Sequence, residues 1–143
     1  MSIHIRPAVP EDAPALQALN AAFNGDTSVT EEAIRRSLVT GSEIVLIAED
    51  RGEPVGFCCA QVHYSFCYPA PVAEVTEMYV SPAHRGRGCA GAMLARLETL
   101  LREEYGADEM HLLTGTTNHA AQAAYRKAGF RPHDEQYMSH KLR

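Results

Sequence analysis

An Arg- and Gly-rich loop is the part of this sequence best suited to chemistry. Residues 85–90 read RGRGCA and lie between a strand-like run and a long helical pattern. Gly86 and Gly88 let the backbone approach a ligand without an intervening Cβ, and the helix that follows adds unpaired N–H groups and a positive dipole end. Arg85 and Arg87 add positive charge at the rim. The loop is therefore predicted to bind a phosphate or a pyrophosphate.

Two common phosphate-binding motifs fit this loop less well. A nucleoside-triphosphate loop needs Lys-Ser or Lys-Thr after its last glycine, and the sequence has neither there. Gly86, Gly88 and Gly91 match the spacing of a dinucleotide-binding fingerprint, but that motif begins directly at a strand end and needs an acidic residue about 20 positions later. Here residues 81–85 intervene, and the next apolar run, residues 110–113, ends in Thr-Gly-Thr-Thr. A small NAD-binding module therefore remains only an alternative.

Two motifs taken together resemble the signature of the GNAT N-acetyltransferase superfamily. Residues 85–90 match its Arg/Gln-x-x-Gly-x-Gly/Ala loop, with Tyr-Val-Ser-Pro before it and Gly-Ala-Met-Leu after it. Residues 118–130, NHAAQAAYRKAGF, resemble the second motif of that family, and both occur in the family's order. The resemblance implies an acetyl-CoA-dependent enzyme that transfers an acetyl group to a primary amine by direct attack in a ternary complex.

The elements around these motifs are expected in the order βααβββαβαββ. Alternating and apolar runs predict strands at residues 2–6, 44–48, 55–62, 72–80 and 110–113. Helical spacing predicts helices at residues 10–23, from Ser28 or Thr30 onward, at 88–104 and at 118–128. A final hairpin of residues 130–133 and 136–142 is expected around Asp134 and Glu135. The predicted fold class is α/β with a mixed sheet, in one domain over residues 1–143. The resemblance implies that the sheet splays open between its fourth and fifth strands.

The resemblance also suggests which side chains carry out acetyl transfer. Tyr125 falls at the position of the general acid, which protonates the departing thiolate. Glu74 falls where several relatives carry a base, and Glu77 is the second candidate for taking the proton of the amine. A regular strand would place these two carboxylates on opposite faces, whereas a β-bulge would change that parity. The remaining alternative is that neither residue serves as a dedicated base.

The acetyl-CoA-binding residues are likewise implied by the resemblance. The main chain of Met78 and Val80 would pair with the pantetheine arm, and the Val80 N–H is a candidate oxyanion donor. Asn118 would contact the pantetheine or act only as a helix N-cap. The complete expected set is Met78, Tyr79, Val80, Arg85, Gly86, Arg87, Gly88, Cys89, Ala90, Asn118 and Tyr125.

Composition limits the compartments and partners to be considered. A net charge of −5 argues against nonspecific binding of nucleic acid. No apolar run approaches the roughly 18 residues of a membrane span, and the first residues do not resemble a signal peptide, so a cytoplasmic protein without membrane contact is expected. No His or Cys spacing suits a metal. The four cysteines are expected to be reduced structural thiols, although a helix N-terminus at Cys89 would favour a thiolate.

The expected acceptor is a small cationic amine. In relatives the amine side is bordered by segments that carry acidic residues here, namely Asp26, Glu74, Glu77, Asp134 and Glu135, and their field would attract a cation. Tyr64, Phe66 and Tyr68 are expected to belong to the core, or else to stack on the acceptor. A protein or peptide amine, and a non-catalytic acyl-CoA sensor of the same fold, are the alternatives. Relatives also suggest that residues 136–142 could pair across a homodimer.

Overall fold

The computed structural model describes residues 2–143, in which one five-stranded mixed sheet is combined with four α-helices. The strands are β1 (Ile3–Pro7), β2 (Ile44–Asp50), β3 (Glu53–His63), β4 (Val72–Val80) and β5 (Glu109–Leu112). The helices are α1 (Ala13–Asn24), α2 (Glu31–Thr40), α3 (Cys89–Tyr105) and α4 (His119–Lys127). The strands lie in sequence order, with β1 to β4 antiparallel and β5 parallel to β4.

Both faces of the central strands are apolar, which explains why helices cover the sheet on both sides. Buried residues of the sheet, including Leu46 and Cys58, pack with Met93 and Leu97 of α3 on one face. The other face packs with α1 through a cluster formed by Leu16, Leu19, Ile47, Phe57, Cys59 and Tyr79. The adjacent residues Cys58 and Cys59 therefore face opposite sides, as alternation along a strand requires.

Local signals in the sequence set the ends of several elements. The Thr30 hydroxyl accepts a hydrogen bond of 3.1 Å from the Ala33 N–H at the start of α2, which is a regular N-cap. Gly106 ends α3 in the left-handed region at a φ of 65°. The strands and helices predicted from the sequence up to residue 128 are confirmed, with boundaries that differ by a few residues. No helix in the described part of the chain has both the length and the apolar character needed to cross a membrane.

The fold class is confirmed, but the two expected terminal strands are wrong. Residues 131–143 have no regular secondary structure and are exposed. Over residues 2–143 the order of elements is therefore βααβββαβα. The alternating pattern of residues 136–142 can form a strand only beside a partner strand, and this segment does not pair with β5 of its own chain.

The aromatic residues after β3 are exposed, so their assignment to the core is wrong. Tyr64, Phe66 and Tyr68 are 73%, 102% and 71% exposed. They lie in the loop between β3 and β4, where Ser65 accepts hydrogen bonds from the N–H groups of Cys67 and Tyr68. Because of this local turn, residues 64–68 do not continue strand β3, although their alternating pattern resembles a strand.

Candidate active site

β4 and β5 separate half-way along β4. The two strands pair only from Val72 opposite Glu109 to Val75 opposite Leu112. Beyond that point lies a cleft of about 250 Å³. The expected splay between the fourth and fifth strands is therefore present. The residues that line the cleft include Thr76, Glu77 and Met78 of β4, and Leu113, Asn118 and Tyr125 from the opposite side.

The open edge of β4 directs main-chain groups toward this gap. The Ser81 N–H donates a hydrogen bond of 2.8 Å to the Val55 carbonyl, and Val80 lies opposite Gly56 in the antiparallel register. Hydrogen-bonded and non-bonded pairs alternate along an antiparallel ladder. The N–H and C=O groups of Val80 and Met78 therefore point away from β3, toward the space that β5 leaves. An extended ligand can pair with this edge as an added strand.

The Arg- and Gly-rich loop lies at the end of the same strand. Gly86 and Gly88 have left-handed φ values of 74° and 82°, and a Cβ added at either glycine would meet no atom within 4 Å. Gly88 is the N-cap of α3, so the first N–H groups of that helix open into this space. Arg85 Nε donates a hydrogen bond of 2.8 Å to the Val80 carbonyl. The loop thus places an anion-binding helix end directly after the open edge of β4.

A β-bulge changes the parity of β4 beside the cleft. Cys59 of β3 lies opposite Glu77, whereas the next residue, Ala60, lies opposite Val75. Thr76 is therefore the extra residue of a bulge. In a regular strand the side chains at positions 74 and 77 would point to opposite faces, but the bulge brings both onto one face of the sheet.

Of the two carboxylates on this face, Glu77 lines the cleft. Burial, and to a smaller extent the nearby Glu43 carboxylate, raises the pKa of Glu77. A higher pKa makes a carboxylate a stronger proton acceptor. Glu74 lies outside the lining, and its Oε1 is 3.3 Å from Nε2 of His63. The geometry therefore favours Glu77 over Glu74 as the group that can accept a proton inside the cleft.

Tyr125 and Asn118 reach the cleft from α4. The Tyr125 ring packs edge-on against Phe130, with ring centres 5.9 Å apart, and burial raises the pKa of the Tyr125 hydroxyl. Tyr125 therefore remains protonated at neutral pH and can donate its proton. The Asn118 Oδ1 accepts a hydrogen bond of 3.2 Å from the Ala121 N–H. Asn118 is thus an N-cap that also lines the cleft, so its two expected roles are compatible.

The comparison with protein families decides what this arrangement is. Residues 14–130 match the model of the Acetyltransferase (GNAT) family. This chain belongs to the GNAT family. It is an N-acetyltransferase, and the dinucleotide-binding alternative has no support from the match.

Relatives of this GNAT enzyme include other proteins named as N-acetyltransferases. It is 29% identical over 130 residues to an aminoglycoside N(6')-acetyltransferase type 1 of Stenotrophomonas maltophilia, across 88% of this chain and 84% of that protein. It is 25% identical over 134 residues to the uncharacterized N-acetyltransferase YhfO of Bacillus subtilis (strain 168), across 90% and 89% of the two chains. The solved structure of AAC(6')-Iy in complex with the bisubstrate analogue CoA-S-monomethyl-acetylneamine has a TM-score of 0.84 at 22% identity, covering 100% and 99%.

Two histidines that the sequence did not single out lie beside Glu74, outside the lining of the GNAT cleft. Glu74 lies opposite His111 of β5 in the parallel register. The rings of His63 and His111 are stacked, with centres 6.4 Å apart and planes 17° apart, and His63 also contacts Glu74. These residues come from three strands. Their proximity depends on register, for which the sequence carries no local signal.

Thr76 and Phe23 also line the cleft without having been expected there. The Thr76 hydroxyl is buried and has no hydrogen-bond partner among residues 2–143. A buried polar group in this state is uncommon and can serve a ligand. Phe23 of α1 lies with its ring centre 5.2 Å from that of Tyr79, so it closes the cleft from the α1 side.

The side chain of Cys89 is buried at the start of α3. It is 2% exposed, and burial raises the pKa of its thiol. We therefore expect Cys89 to be a neutral thiol, and not the thiolate that a helix N-terminus would favour.

Proposed function

We propose that this N-acetyltransferase transfers an acetyl group from acetyl-CoA to a primary amine of a small polycationic molecule of the aminoglycoside class. The observation that carries the proposal is the cleft between β4 and β5. Glu77, a carboxylate of raised pKa, and Tyr125, a protonated phenol, both line this cleft beside the open edge of β4. The class of acceptor is suggested by the names of the relatives, which include an aminoglycoside N(6')-acetyltransferase.

Several groups of the chain fit the donor. Acetyl-CoA supplies an activated thioester when it is bound. Residues 85–90 and the N-terminus of α3 suit its pyrophosphate, because the two glycines have left-handed φ values and open space beside their Cα atoms. The edge at Met78 and Val80 suits the amides of a pantetheine arm. The Val80 N–H is then placed to stabilise negative charge on the reacting carbonyl oxygen.

Glu77 and Tyr125 move the protons of the reaction. An alkylammonium has a pKa near 10, by analogy with lysine, so it must lose a proton before its nitrogen can attack. Glu77 accepts this proton, directly or through a water molecule. The neutral nitrogen then forms the new amide bond and loses its second proton to water, while the bond between carbonyl carbon and sulfur breaks. Tyr125 donates its hydroxyl proton to the departing sulfur, and is reprotonated from solvent.

The charges beside the cleft suit a cationic acceptor. Glu43 is close enough to raise the pKa of Glu77, and Glu74 lies on the same face of the sheet. Three carboxylates in one region create a negative potential that attracts an acceptor with several ammonium groups. The Phe23 ring adds an apolar wall against which the carbon skeleton of the acceptor can pack.

Release of free thiol from acetyl-CoA tests the function against a panel of amines. The panel comprises an aminoglycoside with a 6′-amino group, spermidine, an amino acid and a peptide with a free N-terminus. We expect kcat/KM to be highest for the aminoglycoside. Exclusive activity on the peptide would overturn the acceptor class. If acetyl-CoA raised the melting temperature but no amine were acetylated, the non-catalytic sensor would be the better description.

A further inference from the structure

One residue of the loop between β4 and α3 packs against a distant part of the chain. Among residues 82–88, His84 alone is not exposed. Its Nε2 atom lies 3.3 Å from Oδ2 of Asp50, and the two side chains are 22% and 19% exposed. Its Nδ1 atom is buried and has no hydrogen-bond partner within residues 2–143. The His84 side chain therefore points into the protein, and Asp50 is its polar contact.

The register of the sheet explains why Asp50 reaches this loop. The Ser81 N–H donates a hydrogen bond of 2.8 Å to the Val55 carbonyl, so the chain before residue 55 lies beside the chain after residue 81. The chain before residue 55 includes the tight turn between β2 and β3, in which Asp50 pairs with Glu53. The two residues between them have left-handed φ values of 54° and 83°, as a two-residue hairpin turn requires. The turn therefore fixes the position of the Asp50 carboxylate.

The contact between His84 and Asp50 differs from the other contacts of the loop. The Arg85 guanidinium binds the Val80 carbonyl, which belongs to the strand that leads directly into the loop. Over the described residues 2–143, the contact between His84 and Asp50 is the one polar contact that joins residues 82–88 to a part of the chain distant in sequence. Without it, the polar contacts of the loop would all be local.

We propose that His84 is a positioning residue for acetyl-CoA, which holds the anion-binding loop against the turn between β2 and β3. The inference rests on the proposed use of acetyl-CoA as the donor. A loop that is already fixed in its binding conformation binds more tightly, because less ordering is needed on binding. The contact should act on the pyrophosphate end of the donor, for which residues 85–90 are suited. It should not alter proton transfer by Glu77 and Tyr125.

Calorimetric titration with acetyl-CoA tests this role without an acceptor. We expect His84→Leu to raise the dissociation constant about three- to tenfold, with unchanged far-ultraviolet circular dichroism. The matched control is His4→Leu, because Nδ1 of His4 lies 3.5 Å from Oε1 of Glu49 in a similar contact that does not involve the loop. This control should bind acetyl-CoA like the native chain.

Two outcomes of the titration would count against the proposals in different ways. If the native chain binds acetyl-CoA and His84→Leu binds it equally well, or if His4→Leu binds it as weakly as His84→Leu, the positioning role is wrong and the proposed donor stands. If the native chain does not bind acetyl-CoA, the proposed donor is wrong, and the role of His84 is wrong with it.

A double-mutant cycle shows whether the effect belongs to the contact itself. Asp50→Ala and the double variant Asp50→Ala, His84→Leu are titrated in the same way. Two residues that act through each other have effects that do not add, so the double variant should bind acetyl-CoA about as well as the weaker single variant. A dissociation constant raised by the product of the two single effects would contradict a shared role.

A truncated donor separates positioning of the loop from a general effect on the cleft. S-acetylpantetheine carries the thioester but no pyrophosphate, so it cannot use the loop. With the best acceptor of the amine panel, His84→Leu should raise KM for acetyl-CoA and keep kcat within about twofold of the native value. The same substitution should leave kcat/KM for S-acetylpantetheine unchanged. An equal loss with both donors would mean that the substitution disturbs the whole cleft, and would overturn the positioning role.

Discussion

Arg85 Nε donates a hydrogen bond of 2.8 Å to the main-chain carbonyl of Val80. The guanidinium carbon of Arg85 also lies 5.6 Å from the centre of the Tyr79 ring, within the range of a cation–π contact. The start of the anion-binding loop is therefore fastened to the end of β4. This contact sets the distance between the groups that suit a pyrophosphate and the strand edge that suits a pantetheine arm.

Removing this contact is expected to weaken acetyl-CoA binding. Arg85→Ala should raise KM for acetyl-CoA about tenfold, which corresponds to about 1.4 kcal/mol, with a smaller change in kcat. The measurement is steady-state kinetics with acetyl-CoA as the varied substrate. Arg96→Ala, an exposed arginine on α3, is the control and should leave KM unchanged. An equal increase in both variants would mean that only net charge matters.

Gly56→Ala tests how closely β3 and β4 approach beside the open edge. A Cβ at this position would lie 2.6 Å from the main-chain oxygen of Tyr79, so β4 would have to move. We expect a loss of about 1–3 kcal/mol in the free energy of unfolding, measured by denaturant titration. Gly91→Ala is the matched control, because a Cβ there meets no atom within 4 Å and alanine suits a helix better. Equal stability of both variants would show that β4 can shift away from β3 without loss of folding free energy.

Tyr125→Phe is expected to lower kcat by more than about tenfold with little change in acetyl-CoA affinity. The substitution keeps the ring that packs on Phe130 and removes the proton donor. Affinity is measured by calorimetry and kcat by thiol release. Tyr105→Phe, at the end of α3, controls for loss of a hydroxyl elsewhere. Unchanged turnover in Tyr125→Phe would remove this residue from the mechanism.

Glu77 is expected to set the acid limb of the pH profile. The base works when deprotonated, so kcat/KM should fall as the pH falls through its pKa, which lies above the ordinary carboxyl value. Glu77→Gln should remove this limb and lower kcat, whereas Glu74→Gln should keep the limb. If Glu74→Gln alone removed it, the two roles would be reversed.

The melting temperature of Glu77→Gln provides a control on the assignment of Glu77 as the base. A carboxyl whose pKa is higher in the folded state than in the unfolded state binds its proton more readily when folded. Ionisation of Glu77 therefore opposes folding as the pH rises through that pKa. Glu77→Gln should accordingly keep or raise the melting temperature at pH 7, so a loss of activity would not reflect unfolding.

The sequence predicts the part of the site that lies on contiguous segments. Strand β4, the glycine loop and the start of α3 form one run of chain, and the residue types in that run determine their own conformation. The bulge at Thr76 and the position of Glu74 opposite His111 depend on the register between strands, for which the sequence carries no local signal. The alternation of residues 136–142 predicts a strand that the structure does not contain, because alternation alone does not specify a pairing partner.

Thiol labelling tests whether any cysteine takes part in catalysis. Cys67 is exposed, whereas Cys58, Cys59 and Cys89 are buried. Burial raises the pKa of Cys58 to about 12 and also raises the pKa of Cys89, so neither thiol is ionised at pH 7.

An aromatic disulfide reagent should therefore modify one thiol per native chain rapidly, and none in Cys67→Ser. Cys89→Ala should keep most of the turnover of the parent enzyme, because direct attack needs no acyl-cysteine. Mass spectrometry after mixing with acetyl-CoA alone checks the same point. An acetyl group on Cys89 under these conditions would replace direct attack with a two-step transfer through the enzyme.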